Sequence, residues 1–171
     1  NYSVAQNSWV LTRELLLFLI SEASTHGQQH FNKDILLDNV NTMKIMGYRL
    51  DSYSAHIESL SNYVKYNMDM ICKEKRDELF AVPSRPIHTK VRDSSPTKYG
   101  ANATVKNSLV ADGCTINGYV ENSILFEGVK IGSGSKVKNC IVMQNTIIEN
   151  ASSLSWIICD KNVIIKDNRT L

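Results

Sequence analysis

The chain has 171 residues, 43% of them hydrophobic and 21% charged, with a formal net charge of +2. That is enough chain for one large or two small cores, and too little positive charge to point to nucleic acid. The longest uninterrupted apolar run, Leu15 to Ile20, is too short to span a bilayer and follows Arg13 and Glu14, so it predicts neither a membrane helix nor a signal peptide.

In chain order, Val4 to Leu11 reads as a strand. Thr12 reads as the N-cap of a helix running to about Thr25, with Gly27 as its C-terminal stop. Met43 to Leu50 alternates as a second strand. From Ser59, apolar residues at Leu60, Tyr63, Val64, Met68 and Ile71 recur at helical spacing, which predicts one amphipathic helix continuing through the charged run Lys73 to Glu78. Two strands and two helices are too few for a self-sufficient doubly wound domain. The chain opens without Met and stops at Leu171 without a capping element, and the expectation is a fragment of a longer protein.

Residues 83–98 carry the chain's three prolines and four basic residues against one acidic. Proline fixes φ and removes a donor, so this segment reads as an extended basic linker between two packed bodies. Arg85, Lys90 and Arg92 within it are candidate interface residues, although a solvated linker explains the charge more simply.

From Val105 onward the chain repeats itself. Aliphatic residues fall at Val105, Val110, Ile116, Val120, Leu125, Ile131, Val137, Val142, Ile148, Leu154, Cys159 and Ile165, three per unit. Two residues before each stands one that is small or β-branched in nearly every case, among them Ser108, Cys114, Ser123, Ser135, Cys140, Thr146 and Ser152. This is the hexapeptide pattern of a parallel β-helix, whose coils bury their apolar side only by stacking. Gly113, Gly128, Asn145 and Asn162 precede the third aliphatic of each coil by three residues, which suits a left-handed corner. Gly118 and Tyr119 read as a tightened corner, because Ile116 and Val120 are two residues closer than their later equivalents. Trp156 falls where earlier coils have Asn107, Asn122 and Asn139, and is either a further interface candidate or an outward tryptophan covered by the chain segment that follows. Cys72, Cys114, Cys140 and Cys159 form no CxxC pair, and free thiols inside the repeat fit a reducing cytosol.

The stretches Arg85-Pro86-Ile87-His88-Thr89-Lys90, Ser95-Pro96-Thr97-Lys98-Tyr99, Val105 to Cys114 and Val120 to Phe126, with Phe31-Asn32-Lys33-Asp34-Ile35, Gly47-Tyr48 and Tyr66-Asn67-Met68-Asp69 upstream, resemble the C-terminal half of the glucose-1-phosphate adenylyltransferase (ADP-glucose pyrophosphorylase) family. Within it they are similar to the GlgD-type subunits of glycogen biosynthesis. The fold expected is an α/β remnant of a nucleotidyltransferase domain over 1–82, the linker over 83–98, and an all-β left-handed parallel β-helix of hexapeptide repeats over 99–171.

The resemblance implies a reaction in which glucose 1-phosphate attacks the α-phosphorus of ATP, giving ADP-glucose and pyrophosphate with Mg²⁺ as cofactor. The family's Gly-rich nucleotide loop precedes the region represented here. Its second metal aspartate would fall in Tyr53-Ser54-Ala55-His56-Ile57-Glu58-Ser59, where His56 stands instead. Magnesium prefers oxygen donors and negative charge, so no metal and no catalytic residue is expected here. Lys33 and Asp34 match a segment beside the family's sugar-phosphate pocket and are expected to be a remnant of it. The expectation is therefore a non-catalytic, regulatory or stabilising subunit in the cytoplasm, binding no cofactor itself. Its partner would be a catalytic ADP-glucose pyrophosphorylase subunit, or a second copy through the β-helix, with no nucleic acid and no membrane. The alternatives are a fragment of an active adenylyltransferase and, more remotely, a hexapeptide acyltransferase. The latter needs a histidine base on its coils, and no histidine follows His88.

Overall fold

The computed structural model describes residues 7–89 and 93–171. They divide into two units, one ending at Asp51 and the other running from Ser52 to Leu171.

In the first unit, helix α1 spans Arg13–His26. The Thr12 hydroxyl accepts the Leu15 N–H at 3.3 Å, and Gly27 ends the helix in left-handed backbone with φ of 67°. Both ends are where the capping residues place them. A turn of π-helix, Phe31–Leu36, follows. Its Ile35 is buried with Leu19 and Ala23 of α1, and Leu11, Leu15, Phe31 and Met43 pack around them. Of the strands expected at 4–11 and 43–50, residues 7–11 and 43–50 form no ladder, and residues 4–6 lie outside the described residues. A strand is stable only when its backbone groups find a neighbour, and alternating sequence alone does not supply one.

The second unit opens with α2, Leu60–Asp69, capped by the Ser59 hydroxyl on the Asn62 N–H, and α3, Lys73–Phe80. The single continuous helix expected here is broken at Met70–Cys72. There the N–H groups of Met70, Ile71 and Cys72 bond to carbonyls three residues back, and Arg76 donates to the carbonyls of Met70 and Ile71. Those carbonyls are thereby satisfied without a further α-helical turn. Asp69 adds to the break, accepting from Tyr53 Oη at 3.3 Å and Lys75 Nζ at 2.5 Å.

Past the connector the chain winds through short strands: β1 Lys98–Tyr99, β2 Thr104–Lys106, β3 Leu109–Val110, β4 Thr115–Ile116, β5 Tyr119–Glu121, β6 Ile124–Leu125 and β7 Lys130–Ile131. It continues through β8 Lys136–Lys138, β9 Ile141–Val142, β10 Ile147–Ile148, β11 Ser153–Ser155, β12 Ile158–Cys159 and β13 Ile164–Ile165. Every third strand joins the same sheet, giving three parallel sheets ordered β1-β4-β7-β10-β13, β2-β5-β8-β11 and β3-β6-β9-β12. This is a parallel β-helix. The register gives the coil length directly: Thr104 pairs with Tyr119, fifteen residues on, while Tyr119 pairs with Lys136 and Lys136 with Ser153, each seventeen on. The short coil lies where Gly118 tightens the corner.

Inside the prism Ile116, Val120, Leu125, Ile131, Val137, Val142, Ile148 and Leu154 are essentially inaccessible. Full burial of each contributes about 1.5–3 kcal/mol relative to exposure. The small residues beside them are buried too and stitch the coils together. Ser123 Oγ accepts the Cys140 N–H at 3.0 Å and donates to the Glu121 carbonyl, and Ser135 Oγ accepts the Ser152 N–H at 3.0 Å. A buried hydroxyl without such partners would destabilise the fold, and these have them. The corners use left-handed backbone at Gly113, Gly128, Asn145 and Asn162, with φ between 57° and 75°, and again at Asn107, Asn122, Asn139 and Trp156, with φ between 42° and 60°.

The coil begins before the repeat becomes legible. Ser95 O accepts the Gly113 N–H at 2.7 Å, Thr97 Oγ1 donates to Ala111 O and accepts from Cys114 N, and Ser94 Oγ bonds to the Glu127 carboxylate.

Candidate functional site

The π-helical turn holds Lys33 and Asp34 side by side. Asp34 Oδ2 accepts the backbone N–H of Gln29 at 2.9 Å and of His30 at 2.8 Å, and these bonds, with the His30 bond the stronger influence, hold its carboxyl below the usual range. Its charge fixes the entry to the turn. Trp9 packs tilted on Phe31 with ring centroids 5.7 Å apart, and Asn32 Nδ2 donates to Asn7 Oδ1.

His56 lies in the extended run ahead of α2. Its Nδ1 is 3.1 Å from Glu58 Oε1. The imidazole and the carboxylate that would have to hold a magnesium ion are engaged with each other. Among the described residues no group of three or more His, Cys, Asp or Glu side chains is arranged to hold a metal. One nitrogen donor and one carboxylate do not make a site for a hard cation that favours six oxygens, so these residues do not fit Mg²⁺. Three residues upstream, Tyr53 donates its N–H to Glu78 Oε1 at 2.5 Å, and burial, aided by Asp69, pushes its phenol up to about 12. His56 thus stands in a segment pinned to α2 and α3.

Of the connector's candidates, Arg85 donates Nη2 to the Glu78 carbonyl at 2.8 Å in the last turn of α3. Lys90 and Arg92 lie outside the described residues. Trp156 is 74% exposed, with φ of 60°, and its N–H donates to Lys138 O at 3.1 Å.

Two features escaped the sequence reading. On the outer face of the β2-β5-β8-β11 sheet, the Tyr119 ring lies between Lys106 Nζ at 5.7 Å and Lys138 Nζ at 5.3 Å, and Lys138 pairs with Glu121 Oε2 at 3.0 Å. The Lys138 bond, then that of Tyr119, lowers the Glu121 carboxyl. The coil register carries the signal: residues fifteen or seventeen apart are neighbours, which brings 106, 121 and 138 into one row. On the third sheet, Leu109, Ile124, Ile141 and Ile158 stand in one outward row, and Ile124 and Ile141 are buried. Paired aliphatics at Ile124-Leu125 and Ile141-Val142 carry the signal that β6 and β9 are buried on both faces.

The fold and the repeat define a hexapeptide β-helix protein, and residues 92–171 match the family model described as GlmU-like, C-terminal hexapeptide. The rest of the chain carries the comparison further. It is 40% identical over 157 residues to the glycogen biosynthesis protein GlgD of Bacillus subtilis (strain 168), a match covering 92% of this chain and 45% of that protein. It is 39% identical over 129 residues to GlgD of Geobacillus stearothermophilus, covering 75% of this chain and 37% of the other. It is 32% identical over 133 residues to a glucose-1-phosphate adenylyltransferase of Clostridium perfringens (strain SM101 / Type A), covering 75% and 33%. The chain is a homologue of GlgD-type glycogen biosynthesis proteins and, with them, of the glucose-1-phosphate adenylyltransferases, and it spans less than half the length of these relatives. Among the described residues no helix is long and apolar enough to cross a membrane.

Proposed function

We propose that this chain belongs to a non-catalytic subunit that regulates or stabilises ADP-glucose pyrophosphorylase in glycogen biosynthesis, working in the cytoplasm beside a catalytic subunit. The observation that carries the reading is His56. It stands where the resemblance puts a metal-binding aspartate, and its ring faces Glu58 at 3.1 Å. A reaction that depends on neutralising phosphate charge loses its metal anchor when a carboxylate gives way to an imidazole. The similarity to GlgD proteins over 92% of the chain supports the same reading.

The β-helix supplies the means of assembly. A stack of rigid coils with a packed interior holds its outer faces in fixed register, which suits a docking surface. Co-purification tests the reading. The full-length protein, bearing an affinity tag, retains a catalytic glucose-1-phosphate adenylyltransferase from the same cell, and the version lacking residues 99–171 does not. Retention of no adenylyltransferase by the full-length protein contradicts it.

A further inference from the structure

Helix α3 has eight residues, none of them fully buried. A helix of that length is marginal by itself, so its turns hold or fray with the contacts made at its ends. The first turn is tied to the α2 side: Lys75 Nζ reaches Asp69 Oδ1 at 2.5 Å, and Arg76 Nη1 donates to the carbonyls of Met70 at 2.9 Å and Ile71 at 3.3 Å. The last turn is tied to two other segments, and both ties meet at Glu78.

The Glu78 carboxylate accepts the Tyr53 N–H at 2.5 Å, and the Glu78 carbonyl accepts Arg85 Nη2 at 2.8 Å. Tyr53 lies three residues ahead of His56, and Arg85 lies in the connector. That carbonyl is one of the four at a helix C-terminus without an intrahelical partner, where a guanidinium is a fitting donor. Fraying of the last turn would swing the Glu78 side chain away from Tyr53 and turn its carbonyl away from Arg85. Two contacts from separate segments therefore favour one conformation of one element. At its other end the connector is fixed to the β-helix, with Ser95 O accepting the Gly113 N–H at 2.7 Å and Thr97 Oγ1 donating to Ala111 O at 2.8 Å.

We propose that the last turn of α3 is a clasp that couples the connector to the segment carrying His56. Formed, it holds Tyr53 and Arg85 together through Glu78. Frayed, it releases both. Anything that draws Arg85 away from α3 therefore loosens the chain at Tyr53, and loosening at Tyr53 weakens the hold on Arg85 by the same factor, because both bonds bias one equilibrium. The clasp is a property of this chain and holds whether or not the chain serves as a subunit.

Hydrogen–deuterium exchange of the full-length protein tests it, read at the Tyr53 amide by mass spectrometry with electron-transfer fragmentation. Arg85→Ala speeds exchange at Tyr53 about five-fold, the scale of one net hydrogen bond, and Arg85→Lys, which keeps a donor, speeds it less. Glu78→Ala speeds it at least as much as Arg85→Ala. Adding Arg85→Ala to Glu78→Ala brings no further change, because the link is already cut. The amides of Phe126 and Ile141, bonded between coils at 2.9 and 3.0 Å, exchange at the same rate in every variant. Unchanged exchange at Tyr53 in Arg85→Ala or in Glu78→Ala overturns the proposal. So does an equal acceleration by Arg85→Ala with and without the Glu78 carboxylate, since the effect then travels by another route. Acceleration that spreads equally to Phe126 and Ile141 is a general loosening of the fold and overturns it as well.

Discussion

Gly118 lies beneath Ser135 in the next coil so closely that a Cβ at residue 118 would stand 2.5 Å from the Ser135 carbonyl oxygen and 2.8 Å from that of Gly132. The two residues occupy equivalent positions, since the neighbouring Tyr119 pairs with Lys136. The chain between Ile116 and Tyr119 therefore cuts straight across a corner that later coils round with Ser133 and Gly134. Both close contacts are backbone, which cannot swing aside. Gly118→Ala is expected to destabilise the β-helix by about 1–3 kcal/mol, the usual cost of overpacking, read as a lower midpoint in urea with an unchanged slope.

Ala151 gives the opposite case. It holds φ of 52° at a corner where Gly134 and Asn168 occupy the neighbouring coils. Nothing in that backbone favours a Cβ. Ala151→Gly is expected to stabilise the fold by up to about 1 kcal/mol, seen as a rise in melting temperature of a few degrees.

The thiols divide by burial. Cys72 is exposed and Cys114, Cys140 and Cys159 are buried. Burial raises all three buried thiols, Cys159 to about 11 with help from Cys140. A disulfide-exchange reagent at pH 8 should modify one cysteine rapidly and the other three only on unfolding. The sign for stability follows from the same shift. The unfolded chain ionises first, near 9, so folding stability is intact below that pH and falls as pH rises from 9 through 11. A urea series at pH 8, 9.5 and 11 reads it.

These contrasts show what the amino-acid order made legible. The inward columns of the β-helix were readable because a coil of fixed length returns the same side-chain type to the same place, as with Val120, Val137 and Leu154. The tightened corner at Gly118 was readable as a missing pair of residues. Residues 7–11 and 43–50 form no strand because a strand depends on a neighbouring strand as well as on alternating sequence. The helix break at Met70–Cys72 escaped because it is made by long-reaching side chains, Arg76 and Lys75, which hydropathy does not register. The position of His56 was legible, whereas its pairing with Glu58 needed coordinates.

Restoring the carboxylate asks what His56 limits. His56→Asp places a second negative charge near Glu58, whose carboxylate now faces the His56 ring. In the full-length protein it is expected to raise Mg²⁺ affinity measurably by calorimetry, and to leave ADP-glucose synthesis undetectable if other parts of the reacting centre have also diverged.

The most direct measurement follows ADP-glucose formation from ATP and glucose 1-phosphate with Mg²⁺ for the full-length protein alone, for a catalytic adenylyltransferase alone, and for the two mixed. The account predicts no turnover by the first, and a mixture whose rate or apparent substrate affinity differs from that of the catalytic subunit by several-fold. Turnover by the full-length protein alone, or a mixture indistinguishable from the catalytic subunit, would contradict it.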